Sequence, residues 1–189
     1  MSIVSSMALV EQIRDSSEDS CNMDEIALRI GDMRNAISQN MKKMSSAEQS
    51  DILDLQNRFK RGIYSHSTAL FLWGLSEVTA LPFHMTFPFG YNLTNAKATG
   101  LSCSQSSNGL YELGICEIKL SNGKRYFVYS PEKTLCDIVR KGSNVDKKIV
   151  ASSYRKYSKW KYKDLNKLEI YAEKLHVGKK IKTYLEILL

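Results

Sequence analysis

The sequence predicts an α+β fold: a small mixed or antiparallel sheet, preceded by a helical N-terminal segment and followed by a helical C-terminal subdomain. Three observations carry this expectation. Residues 1–53 place apolar side chains at helical spacing, with no strand signal. Residues 84–129 hold short β-rich runs, two of them joined by Asn122-Gly123, a strong hairpin signal. From Ser130 onward, apolar residues recur at helical spacing to the C-terminus.

Asn22 can cap a helix, with Glu25 three residues on to complete a capping box. Met23, Ile26, Ile30, Met33, Ile37 and Met44 then alternate at spacings of three and four, with Asn40 in the remaining position. Such a stripe suits an amphipathic helix packed on its own domain, or a seam for a homodimer. The run Asp15 to Ser20 reads as a linker. Ser46 and Gln49 offer a second capping box, and the helix after it would bury Ile52, Leu55 and Phe59.

Thr68 to Trp73 is apolar nearly all round, so a short buried helix is expected there, ended by Gly74. His84 to Phe87, between Pro82 and Pro88, reads as a strand. Residues 92–109 are rich in Ser, Asn and Gly and read as loop. Tyr111 to Leu120 and Lys124 to Tyr129 form the expected hairpin. Ser130-Pro131-Glu132 then opens a helix: a serine cap, a proline in the first turn, and an acid beside the positive end of the dipole. Leu135, Ile138 and Val139 give that helix its apolar face, and Gly142 ends it. Further helices are expected near 145–157, 164–175 and 179–188.

The 189 residues carry 27 Lys+Arg against 20 Asp+Glu, a net charge of +7. The distribution is uneven. Residues 1–60 hold 7 basic and 10 acidic side chains; residues 61–189 hold 20 and 10. A basic excess confined to the larger part suits a polyanionic partner there. No apolar run approaches the length of a membrane span. Four scattered cysteines form neither a disulfide framework nor a zinc-ligand pattern, so no metal and no cofactor are expected. The first ten residues lack the pattern of a secretory signal, and a cytoplasmic location is expected.

Two constellations invite a chemical reading. Residues 140–182 hold 14 Lys/Arg against 4 acids. Arg140, Lys141, Lys147, Lys148, Arg155, Lys156, Lys159 and Lys161 are the candidate phosphate contacts on DNA. Tyr154, Tyr157, Trp160 and Tyr162 are interleaved with them, either stacking on bases or belonging to the core. Glu117 and Lys119, two apart on a strand, point to one face. A Mg²⁺ nuclease uses such a pair, the carboxylate holding the ion and the lysine steadying the phosphate. It needs a further acid, for which Glu112 and Asp137 are the candidates. His66 and His84, with Ser65, Ser67 or Cys136 as nucleophile, stand in no known catalytic frame.

Three ordered blocks carry a resemblance: RFKRGIYSHSTALFLWGLS, then HMTFPFGYN, then LYELGICEIKLSNGKRYFVYSPEKTLCDIVR. Residues 54–189 resemble the AbiEi family, the antitoxins of bacterial type IV toxin–antitoxin systems, some of which act in abortive phage infection. The resemblance implies a non-enzymatic antitoxin. It would counteract a nucleotidyltransferase-like toxin without forming a stable complex, and repress its own operon through promoter DNA. Tyr64, Ser65, His66, Thr68 and Ala69 match the first block; Glu132, Thr134, Leu135, Cys136 and Asp137 match the last. The family assigns them no catalytic role, and a structural one is expected. Glu77-Val78-Thr79-Ala80 departs from the family's D-R-T-P, and Lys133 stands where Arg is commoner. Residues 1–53 show no helix-turn-helix and wing, where the family usually carries its DNA-binding winged helix, and the segment is acidic.

Overall fold

The computed structural model describes residues 23–78, 81–120 and 123–188. The Asn22 cap, the 15–20 linker, the N-terminal signal pattern and Asn122 lie outside them. The chain divides into two compact units, residues 1–35 and 36–189. Helix α1 (Met23–Met41) starts in the first, and its turns from Ala36 onward belong to the second. In the second unit Ile37, Asn40 and Met44 are buried, so this end of the predicted stripe packs into its own core rather than facing a second chain.

The architecture is α+β, as expected. After α1 come α2 (Ser46–Arg58), β1 (Ile63–Tyr64), α3 (His66–Leu72), β2 (His84–Pro88), α4 (Thr94–Ala98), β3 (Ser102–Ser106) and α5 (Asn108–Tyr111). Then follow β4 (Ile115–Lys119), β5 (Arg125–Tyr129), α6 (Pro131–Ile138), α7 (Lys147–Ser158), α8 (Leu165–Lys174) and α9 (Gly178–Leu188). The strands form one mixed sheet in the order β3-β2-β1-β5-β4. β1 pairs antiparallel with β2 and parallel with β5, β2 pairs parallel with β3, and β4 and β5 form the antiparallel hairpin. Among the described residues no helix is long and apolar enough to cross a membrane.

The alternation of side chains gives the sheet two different faces. Tyr64, Met85, Phe87, Tyr126 and Val128 stand on one and are buried. The Tyr64 hydroxyl donates to the Ile52 carbonyl at 2.7 Å, Phe87 meets Phe59 edge to face at 6.2 Å, and Tyr126 reaches the Met41 sulfur. This face therefore carries α2 and the end of α1. His84 and Thr86 of β2 stand on the other face, in register with Ser102 and Ser104 of β3; that face carries α3, and Lys133 and Asp137 of α6 share a recess with Thr86 and Ser104. Helix α6 is buried along its whole length, between α3 on one side and α7 and α8 on the other.

Several expected boundaries shift, each for a local reason. The second capping box is Ser45 with Glu48, one residue earlier than Ser46 with Gln49. Ser45 Oγ accepts from the Glu48 N–H, and Glu48 returns to the Ser45 N–H at 2.7 Å. The stretch 92–109 is not a loop: it holds α4, α5 and β3, a polar strand held by its pairing to β2 rather than by apolar alternation. Tyr111 is helical, and the strand after it begins only at Ile115, past Gly114 at φ 73°. A Cβ on Gly114 would stand 2.9 Å from that of Lys133. The Ser130 cap forms as expected, its hydroxyl accepting from the Lys133 N–H behind Pro131. Glu132 is not a solvated dipole partner, however: it is 3% exposed and accepts from the Tyr157 hydroxyl at 2.9 Å.

Candidate functional site: a basic polar recess

At the start of α3 the chain makes an unusual turn. Ser65 occupies the N-cap, where a serine ordinarily accepts from the first turn, but its hydroxyl makes no capping bond. Thr86 Oγ1 donates to Ser65 Oγ at 2.8 Å, and Ser65 Oγ lies 3.1 Å from His66 Nδ1. With Ser65 Oγ donating to Nδ1, the ring N–H of His66 would stand on Nε2; with Nδ1 donating, Ser65 Oγ would accept twice. His66 itself sits at φ 50°, in the left-handed region, which costs about 1 kcal/mol or more for a residue with a Cβ. Its ring stacks on His84, with centroids 4.0 Å apart and planes at 16°. His84 Nε2 in turn lies 2.8 Å from Ser104 Oγ on β3, and the His84 N–H donates to Thr68 Oγ1.

The second part comes from α6. Lys133 is 1% exposed, and its ammonium reaches both carboxylate oxygens of Asp137, at 2.6 and 2.7 Å. The face of Tyr129 lies 4.4 Å away. Burial presses the Lys133 ammonium below its ordinary range, and the Asp137 carboxylate opposes it. Arg140 Nη1 stands 3.7 Å from Asp137 Oδ1: an ion pair, but too long for a hydrogen bond.

These parts enclose a recess of about 150 Å³, walled by His66, Thr86, Ser104, Ser106 and Lys133, with Arg140 and Lys141 at the turn after α6. Three cations face one carboxylate. Burial drives both histidines down, His66 to about 4, helped by Lys133 and Arg140, and His84 to about 3, helped by His66. Near neutral pH both rings are uncharged. The recess is therefore a polar, positively biased site in which the imidazoles donate and accept hydrogen bonds without adding charge.

The other candidates disperse. Of the eight predicted DNA contacts, Arg140 and Lys141 rim the recess. Lys148, Arg155 and Lys159 share the outer face of α7 at helical spacing, with Lys147 at its start. Lys156 is bonded to Glu77 at 3.0 Å, and Lys161 stands over the Tyr162 ring. Tyr154 and Tyr157 are fully buried, donating to the Leu135 carbonyl and to Glu132, so they do not offer rings to bases. Trp160 packs on Trp73, Tyr157 and Tyr162.

The structure does not assemble the nuclease constellation. Glu117 pairs with Arg125 at 3.2 Å, Glu112 is exposed after α5, and Asp137 is buried against Lys133. Among the described residues no three His, Cys, Asp or Glu side chains stand where they could share a metal ion. Cys136 is buried and its thiol is pushed well up, far from a reactive thiolate.

Of the matched motif residues, Tyr64, Thr68, Glu132 and Thr134 serve as internal hydrogen-bonding groups, Thr134 Oγ1 donating to the Tyr129 carbonyl. Ser65, His66 and Asp137 shape the recess. Sequence reasoning missed Ser104 and Ser106, which lie in the Ser-rich stretch read as loop. Their signal was the alternation Ser102-Cys103-Ser104-Gln105-Ser106, which sends three hydroxyls to one face. No protein-family model matches the chain, and no curated protein matches it.

Proposed function

We propose that this chain is an antitoxin of the AbiEi kind, neutralising a nucleotidyltransferase-like toxin of a type IV toxin–antitoxin system from within the cytoplasm, by binding rather than catalysis. One observation supports this above the others. The three sequence blocks that carry the resemblance are separate in the chain, yet His66 of the first, Thr86 of the second, and Lys133 and Asp137 of the third line one recess. Blocks that only filled a core would have no reason to supply adjacent polar walls to one opening.

Co-expression with the toxin encoded beside it tests the reading. Growth arrest should be relieved by the intact chain, and should return when the recess is altered through Arg140→Gln with Lys141→Gln. Arrest that persists beside the intact, folded chain defeats the proposal.

A second reading, contact with promoter DNA, is favoured by the outer face of α7. Lys148, Arg155 and Lys159 are exposed there, Lys147 is exposed at the helix start, and none of the four pairs with a carboxylate among the described residues.

A further inference from the structure

We propose that the recess between β2, β3 and the turn after α6 binds a phosphate group carrying two negative charges. Charge comes first. Lys133, Arg140 and Lys141 face Asp137 alone, a surplus of two positive charges. Asp137 is already engaged through both oxygens by Lys133. Arg140, at 3.7 Å from it, keeps its N–H groups free of that carboxylate. Three of the carbonyls at and just after the end of α6, which would repel an anion, already accept hydrogen bonds. The Asp137 carbonyl accepts from the Arg140 N–H, the Arg140 carbonyl from the Ser143 N–H, and the Val139 carbonyl from Lys180 Nζ at 2.8 Å.

The second observation is Ser106. It is 6% exposed, and its hydroxyl is a buried polar atom with no hydrogen-bond partner among the described residues. A buried hydroxyl left in that state costs free energy that folding alone does not recover. Ser106 stands on the same sheet face as Thr86 and Ser104 and walls the recess beside them. An oxyanion there would accept from Ser106 Oγ and from Arg140 and Lys141, with the neutral His66 ring as a further wall.

Size then narrows the ligand. The recess holds about 150 Å³, room for a single phosphate group. A neighbouring hollow of about 310 Å³ shares His66 as a wall and is lined by Val78, Leu81, Pro82, Val145 and Ile149. It would take the organic part of a phosphomonoester. The inference rests on the functional reading only in taking the recess as the working part of the chain. Phosphate binding without toxin neutralisation, or neutralisation by variants that no longer bind phosphate, separates the two.

The experiment titrates the full chain with inorganic phosphate and with phenyl phosphate, in sodium chloride at matched ionic strength, by calorimetry and thermal unfolding. Both ligands should bind and raise the unfolding midpoint where chloride does not. Tighter binding of phenyl phosphate identifies a phosphomonoester as the ligand; equal binding identifies the phosphate group alone. Arg140→Gln should weaken binding at least tenfold. Ser106→Ala should weaken it about fivefold while leaving the ligand-free midpoint unchanged or higher, since it removes an unpartnered hydroxyl. A midpoint shift that chloride reproduces, or affinities that neither variant alters, overturns the proposal.

Discussion

Lys133 and Asp137 show how a single pair can be both a stability element and a liability. The two charges are buried at 1% and 3% exposure and satisfy one another through two short contacts. Such a pair adds little over well-packed apolar residues, because desolvation cancels most of the Coulomb gain. Removing one partner is different, since the other stays buried without compensation. Asp137→Ala should cost about 3–5 kcal/mol in denaturant unfolding, whereas Lys133→Met with Asp137→Leu together should come close to the parent chain. Equal losses in the single and double variants would show that the pair is worth more than its desolvation. The stacked histidines make a second residue-scale prediction, in acid. In the unfolded chain both rings take up protons near pH 6.5; in the folded chain His66 does so only near 4 and His84 near 3. The unfolded state thus binds more protons across this window, and stability falls as the pH drops from about 6.5 toward 4, with no contribution from these rings above 7. His66 alone accounts for roughly 3 kcal/mol over that range. His66→Asn keeps a residue that tolerates φ 50° and removes the titration. Its plot of unfolding free energy against pH should be about half as steep between pH 6.5 and 4; an unchanged slope would rule out His66 as the source.

At the scale of elements, β1 explains why Gln56 is buried. The strand is two residues long and pairs with β5 only through Tyr64 and Val128, so it ends before the Phe127 N–H. Gln56, 4% exposed on α2, takes that N–H on Oε1 at 2.9 Å, and its amide donates to the Gly62 carbonyl at 3.1 Å. One side chain thereby does the work of a missing stretch of strand. Gln56→Leu would fill the same space and leave two buried backbone groups unpaired. A loss of about 3 kcal/mol in chemical denaturation is expected, with the Phe127 amide exchanging faster by hydrogen exchange. Legibility follows the same line between local and distant causes. The Ser130-Pro131 helix start, the β4–β5 hairpin and the C-terminal helices are set by neighbours in sequence, and they were readable. β3 and β1 were not, because a polar pentapeptide and a dipeptide become strands only through partners 18 to 64 residues away. The recess was hidden for the same reason. His66 and Asp137 stood out in the matched blocks, but nothing local placed Ser104 and Ser106 opposite them.

At the scale of the whole molecule, six of the eight predicted DNA contacts fall in two separate places. Arg140 and Lys141 rim the recess, while Lys148, Arg155 and Lys159 lie on the outside of α7 and Lys147 is exposed at its first turn. That outer face is opposite the stripe of Val150, Tyr154 and Tyr157 by which the helix is packed. Sequence alone ran these residues together as one DNA-binding stretch, since they are near neighbours along the chain. The separation allows two anion-dependent activities to be tested independently. If the α7 face contacts DNA upstream of the gene, binding must release counterions, and its logarithm must fall linearly with the logarithm of salt concentration. Changing Lys147, Lys148, Arg155 and Lys159 together to Gln removes up to four phosphate contacts. The slope should then become shallower by about 3, with affinity falling alike on specific and unrelated sequences, because phosphate contacts carry no base information. The fold should be unaffected, as all four side chains are exposed and none holds a buried partner. Inorganic phosphate should bind this variant as it binds the parent chain, since Arg140, Lys141 and Ser106 are intact. A gel-shift series across 50 to 200 mM salt decides it. An unchanged slope in the quadruple variant would exclude the α7 face, and a slope that flattens only with Arg140→Gln would assign the DNA contact to the recess instead.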